Sequence, residues 1–215
     1  MEADFWLNRW QENKIGFHRE DYHEKLLQYF PELSPQNGQK VLVPLCGKTK
    51  DMLWLLNMNL YVHGVELSRK AIDSFFIENN FDRPKETQDQ DFTHFTHENL
   101  IISQGDFFKL NSGDQYDYIY DRAALVALPH EMRTRYSEVI ENVLPTGGQY
   151  LLITFEYDQE KMEGPPFNVD ANEVHRLFEK SFKIELKETM ENVPEGPRLG
   201  ELDKFKQKVY ILTKK

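Results

Sequence analysis

The strongest constraint in this chain is an alternation that begins near residue 40. The apolar runs "KVLVPL", "YVHGVEL", "NLIISQ", "QYDYIY" and "GGQYLLITFEY" are separated by stretches of helical periodicity: "KDMLWLLNMN", "RKAIDSFFIENN" and residues 129–143. Strands buried on both faces read as near-continuous apolar runs, and helical crossovers between such strands make them parallel. Two later runs, "FKIELKETME" and "KFKQKVYILTKK", alternate in character and have little helix between them. They are expected to add an antiparallel edge. The predicted fold is α/β, a doubly wound and mostly parallel sheet of seven strands. Ser68 and Asp170 are placed to cap the helices that follow them. Residues 82–98 are polar and aperiodic and read as an excursion from the sheet.

Ahead of this pattern, "DFWLNRWQEN" spaces Phe5, Trp6, Arg9 and Trp10 like a short amphipathic helix, and "REDYHEKLLQYF" reads as a second one. This piece is too small to fold alone. One domain over 1–215 is expected, with 1–38 as a helical lid and 39–215 as the α/β core. A chain of 215 residues is long enough for one sizeable core.

The net charge of -10, with no basic block, argues against a nucleic-acid partner or an anionic membrane, both of which need clustered Lys and Arg. A small-molecule substrate is expected instead. The single cysteine, Cys46, rules out an intrachain disulfide. The acidic N-terminus lacks the pattern of a signal peptide, and no run approaches the ~20 apolar residues of a membrane span. The expectation is a cytoplasmic monomer.

In open α/β sheets, ligands bind beyond the carboxyl ends of the strands, where strand order reverses. The turns at that edge read "PLCGK", "VELS", "GDFF" and "YDRAAL". Glu66 closes the second strand about 20 residues after the first turn, where an acid accepts hydrogen bonds from ribose hydroxyls, or sits solvated at a helix start favoured by the dipole. Gly47 allows close backbone approach, with Leu45 and Cys46 beside it, or simply makes a tight turn. One glycine is poor for a dinucleotide pyrophosphate, which disfavours a nicotinamide-dependent oxidoreductase. A nucleoside carrying an amino acid, such as S-adenosylmethionine, suits the turn better. Asp106 could accept an adenine amino group and Phe107 could stack on the base; otherwise they cap a turn and fill the core. Asp121 and Arg122 end the fourth strand beside the reacting position; Arg122 would orient an anionic or electron-rich group, or the adjacent pair makes structural ion pairs. Trp10 and Phe17 flank the break at Gly16, and aromatic faces attract cations such as a sulfonium. Cys46 has no activating partner. His94 and His97 in "THFTHE" suggest a metal, but no third ligand follows, so none is expected.

Together, "FWLNRWQENKIGFH", "VLVPLCGKTKDMLWL", "VHGVELSRKAIDSFF", "GDFF", "YDRAALVALP", "GPPF" and "KVYILT" resemble the thiopurine S-methyltransferase family over nearly the whole chain. The resemblance implies the fold of class I S-adenosylmethionine-dependent methyltransferases. It implies cofactor contacts at Trp10, Leu45, Glu66 and Arg122, and a further cofactor position at Gly105 and Asp106. It also implies a substrate-contacting ring at Phe17 and a lid from Trp10 to Phe17. Basic residues near the substrate in the C-terminal part of the family leave Arg198 as the candidate here. The implied reaction moves a methyl group to the sulfur of a small aromatic or heterocyclic thiol, with Arg122 favouring the anionic acceptor. Alternatives are a methyltransferase for selenium or other small chalcogens, and a non-catalytic S-adenosylmethionine-binding module.

Overall fold

The computed structural model describes residues 3–111, 113–191, 202 and 204–215. In chain order its elements are α1 (Ala3–Gln11), α2 (Glu24–Tyr29), β1 (Lys40–Pro44), α3 (Asp51–Asn57), β2 (Tyr61–Glu66) and α4 (Arg69–Glu78). There follow β3 (Lys85–Gln88), β4 (Thr93–His97), β5 (Leu100–Gln104), β6 (Tyr118–Arg122), α5 (His130–Val143), β7 (Gln149–Tyr157), α6 (Ala171–Phe178), β8 (Phe182–Glu191) and β9 (Phe205–Lys214). The nine strands form one sheet in the order β3-β4-β5-β2-β1-β6-β7-β9-β8.

The five apolar runs of the sequence are the five central strands β5, β2, β1, β6 and β7, and they pair in parallel. β9 runs antiparallel to β7 and β8 antiparallel to β9, as the alternating late runs predicted. All seven expected strands are present. Among the described residues the count is nine because the presumed excursion holds an antiparallel hairpin, β3 with β4, joined to β5. All of β3 is exposed and only Phe95 of β4 is buried, so the hairpin carries no apolar periodicity to read.

The sheet is covered on both faces. Val41, Val43, Tyr120 and Ile153 turn toward α2, α3 and α4, where Leu26, Leu55, Ile72 and Phe75 lie fully buried. Leu42, Ile119, Tyr150 and Leu152 turn toward α5 and α6, against Tyr136, Ile140, Val174 and Phe178. This period-2 division is what a strand between two helical layers requires. Each fully buried Leu, Ile or Phe contributes about 1.5–3 kcal/mol. The predicted caps form: Ser68 accepts from Ala71 N and Asp170 from Glu173 N.

Part of the segment 1–38, expected as a lid, packs into the core. Leu26, Tyr29, Phe30 and Leu33 are buried in the core, and His23 N donates to Asp51 Oδ1 at 2.8 Å. Tyr120 OH holds the other oxygen of Asp51 at 2.9 Å, tying residue 23 to α3 and β6. Only the segment up to Arg19 reaches the cavity described below. None of the described helices is long and apolar enough to cross a membrane.

Candidate functional site

Strand order reverses between β1 and β6. The chain passes from β1 outward through β2 to β5, then returns to lay β6 and β7 on the other side. The carboxyl ends of these strands open into a cavity of about 810 Å³, within the ~300–1,000 Å³ typical of small-molecule sites.

The β1 turn is backbone under constraint. Leu45 sits at φ 46 and Gly47 at φ 53. A leucine in the left-handed region costs roughly 1–3 kcal/mol and persists only where its surroundings impose it. Cys46 N donates to Val65 O at 3.0 Å, which fastens the turn to β2. Glu66 fastens it again: one carboxylate oxygen accepts from Gly47 N at 2.8 Å, the other from Ser68 N at 2.7 Å. Each oxygen keeps a further lone pair, so the carboxylate can still accept from a pair of hydroxyls. Burial pushes the Glu66 carboxyl above the usual range, against the pull of its backbone donors. Cys46 is buried and its thiol is pushed well up by burial and by Glu66, which leaves it inert as a nucleophile.

The third-strand turn is held from outside. Gly105 N donates to Glu66 O at 3.0 Å. A Cβ on Gly105 would lie 2.5 Å from the Phe92 ring and 2.8 Å from Asp91 O, so only glycine fits. Asp106 accepts from Phe108 N at 3.0 Å and caps a short 3-10 turn while still facing the cavity. Phe107 also reaches the wall, but it is 1% exposed and its ring stacks on Tyr136 at 5.1 Å. The core has taken one face of the ring that the sequence offered to a base.

At the end of β6 the two adjacent charges separate. Asp121 faces the α5 side and accepts from Tyr136 OH and Tyr150 OH, both at 2.7 Å, and from the backbone of Ala124 and Leu125. Arg122 lines the cavity instead, and its Nε is buried without a hydrogen-bond partner among the described residues. Ala123 follows at φ 70. The backbone therefore reverses sharply just where Arg122 enters the site.

The N-terminal segment lines the opposite side. Trp10 is buried, and its indole lies over Gly47; a Cβ there would meet the ring at 3.0 Å. Trp6 and Trp10 both meet Phe17 edge-on, at 5.7 and 5.6 Å. Lys70 caps the carbonyl of Gln11 at 3.1 Å and Lys50 pairs with Glu20 at 3.0 Å, so both ends of the connecting loop are anchored.

Thus Trp10, Phe17, Leu45, Gly47, Glu66, Gly105, Asp106, Phe107 and Arg122 share one cavity. Arg198 lies outside the described residues. The sequence reading missed Trp6, Arg9, Phe108, Phe155 and the Pro165–Pro166 turn, which also line the wall. The rigid "GPPF" turn and the i, i+4 spacing of Trp6 and Trp10 were visible signals; what they would cover was not. The two histidines have other work. His97 packs against Phe81 at 5.0 Å, and His94 joins a polar chain running Tyr116–His63–Ser103–His94–Asp89.

The family model "Thiopurine S-methyltransferase (TPMT)" matches residues 1–215. A thiopurine S-methyltransferase of Nitrosospira multiformis is 39% identical over 216 residues, covering 99% of this chain and 98% of that protein. One from Pseudomonas aeruginosa is 44% identical over 187 residues, covering 86% and 85%. Among solved structures, a TehB-like SAM-dependent methyltransferase of Corynebacterium glutamicum superposes with a TM-score of 0.58 at 16% identity, covering 99% of this chain and 98% of that one. The Burkholderia thailandensis 1,6-didemethyltoxoflavin-N1-methyltransferase, solved with S-adenosylhomocysteine, gives 0.66 at 14% identity, covering 99% and 86%. With the family matched from end to end on this sheet, the chain belongs to the thiopurine S-methyltransferase family and is an S-adenosylmethionine-dependent methyltransferase.

Proposed function

We propose that the chain moves a methyl group to the sulfur of a small aromatic or heterocyclic thiol, such as a thiopurine. The observation that carries this reading is one cavity that joins an adenosyl-type rim, at Glu66 and Gly47, to an aromatic compartment holding Arg122, whose buried Nε has no partner among the described residues. When bound, S-adenosylmethionine supplies an electrophilic methyl that an acceptor sulfur takes in an in-line displacement, leaving S-adenosylhomocysteine.

The residues divide the work. Glu66 accepts from the ribose hydroxyls with the lone pairs its backbone donors leave free. The β1 turn, bent at Leu45 and Gly47, presents main-chain groups to the amino-acid end. Trp10 lies over that turn, and with Phe17 would offer ring faces to the sulfonium. Arg122 favours the anionic acceptor and fixes its sulfur in line. The carboxylates of Asp51, Glu66 and Asp106 are each committed to donors named above, so a strong general base is not prominent. Aromatic thiols ionise readily, and the thiolate is the nucleophile. Holding two sulfurs in near-attack geometry can account for up to about 7–11 kcal/mol of barrier. Closure of the lid over an apolar wall keeps water from a cation and an anion that neutralise each other.

A labelled-methyl assay across thiopurines, thiophenols, selenite, and oxygen and nitrogen acceptors tests this. Transfer is expected to thiols above all. Transfer confined to oxygen or nitrogen acceptors, or to selenite, would overturn the thiol assignment. Cofactor binding with no transfer to any acceptor would overturn the catalytic reading.

A further inference from the structure

Two guanidinium groups line the cavity with buried Nε atoms that have no hydrogen-bond partner among the described residues: Arg9 and Arg122. Neighbouring charges are already engaged. Lys14 pairs with Glu12 at 2.7 Å, Lys48 with Glu78 at 2.7 Å, and Arg135 donates to Phe108 O at 3.5 Å. Asp51, Glu66 and Asp106 accept from their own donors, and Asp121 is turned to Tyr136 and Tyr150. A buried charged donor left unpaired costs about 1–3 kcal/mol or more. The wall is therefore arranged for ligands that bring negative charge with them.

Arg9 stands in the last turn of α1, where a basic residue ordinarily complements the helix dipole from solvent. That bland role does not fit a buried Nε. The Arg9 guanidinium lies 5.5 Å from the ring of Phe5, one helical turn back. On the adjoining stripe, Trp6 and Trp10 meet Phe17. The lid thus sets one cation beside a group of rings, the pair of features that a planar aromatic anion needs.

We propose that Arg9 is the acceptor-selecting residue of the lid. Its guanidinium holds a carboxylate carried on the ring of the aromatic thiol, while Arg122 serves the reacting end. A guanidinium fork matches a carboxylate through two parallel hydrogen bonds. Thiols without the carboxylate gain the aromatic contacts alone. This assignment rests on the thiol reading above and deepens it.

The test compares wild type, Arg9→Gln and Arg9→Lys on 4-mercaptobenzoate and thiophenol. Calorimetry measures S-adenosylhomocysteine affinity, and 4-mercaptobenzoate affinity for the S-adenosylhomocysteine-loaded protein. In Arg9→Gln, the kcat/KM preference for 4-mercaptobenzoate over thiophenol is expected to fall tenfold or more, chiefly through KM. Arg9→Lys should recover part of it, and S-adenosylhomocysteine affinity should stay within twofold. An unchanged preference overturns the assignment. So does a tenfold loss of S-adenosylhomocysteine affinity, which places Arg9 on the cofactor's own carboxylate. If wild type methylates neither thiol and no thiopurine, the thiol reading fails, but binding still judges Arg9: tenfold weaker 4-mercaptobenzoate binding in Arg9→Gln supports the carboxylate contact, and unchanged binding refutes it.

Discussion

Acid should destabilise this protein through His63. The ring lies on β2 between Tyr116 OH at 2.5 Å on Nδ1 and Ser103 Oγ at 2.7 Å on Nε2. Ser103 Oγ also meets His94 Nδ1 at 2.7 Å, and His94 Nε2 lies 3.0 Å from Asp89 Oδ2. With neutral rings, the carboxylate end fixes the order of donors. Asp89 can only accept, so His94 donates from Nε2 and accepts at Nδ1 from Ser103. Ser103 then accepts from His63 Nε2, and His63 accepts from Tyr116. A proton on His63 breaks this order, because both ring nitrogens become donors. Burial, with the nearby His94 and Lys40, lowers the His63 pKa from 6.5 to about 4. The folded pKa lies below the unfolded one, so the unfolded chain binds the extra proton first and stability falls as pH drops through this window. At about 1.4 kcal/mol per pH unit, the loss is about 2 kcal/mol at pH 5 and about 3 kcal/mol at pH 4. Glu66 and Asp121, both raised by burial, act in the opposite sense and regain stability on acidification. Their contribution cancels when wild type is compared with His63→Gln. Urea unfolding of both proteins between pH 7 and 4 reads the difference: the wild-type curve should fall more steeply, by about 3 kcal/mol over the range. Parallel curves would show that the chain of donors does not hold His63 neutral.

Glu66→Gln should weaken S-adenosylhomocysteine binding tenfold or more by calorimetry. In wild type that affinity should fall on acidification, starting above the ordinary glutamate range because burial raises this carboxyl; the Gln variant should lack that dependence. Gly47→Ala combines a left-handed φ of 53 with a Cβ 3.0 Å from the Trp10 ring. It should cost about 1–2 kcal/mol of stability, displace the indole, and alter the tryptophan emission. Tyr136→Phe and Tyr150→Phe each remove a hydrogen bond to buried Asp121, worth about 1.5–3 kcal/mol by denaturation; a smaller loss would mean the carboxyl is protonated in the fold. Removing residues 1–17 should abolish transfer and leave the circular dichroism of the sheet intact, because the anchor from His23 to Asp51 lies beyond the cut.

What the sequence revealed, and what it concealed, follows from how each element is stabilised. The central strands are buried between two helical layers, so burial wrote them as apolar runs that could be read directly. β3 draws its stability from ladder hydrogen bonds at an open edge, and a fully exposed strand leaves no hydrophobic trace. The site divides in the same way. Leu45, Glu66, Gly105 and Arg122 lie at or just beyond strand ends, and the topology alone fixes the edge on which those ends meet. Arg122 and Asp121 are neighbours in the chain, yet strand parity sends one to the cavity and the other to the core, so adjacency was a poor guide to pairing. The lid obeys neither rule. Helical spacing shows that Trp6 and Trp10 share a stripe, but not that the stripe settles over the β1 turn. That depends on a glycine 37 residues later than Trp10 having no side chain to keep the indole away. Arg9 becomes visible only after this docking, since a guanidinium in the last turn of an exposed helix is unremarkable until its Nε is found buried without an acceptor. The charge proposed to select a substrate is in this way legible only in the folded chain.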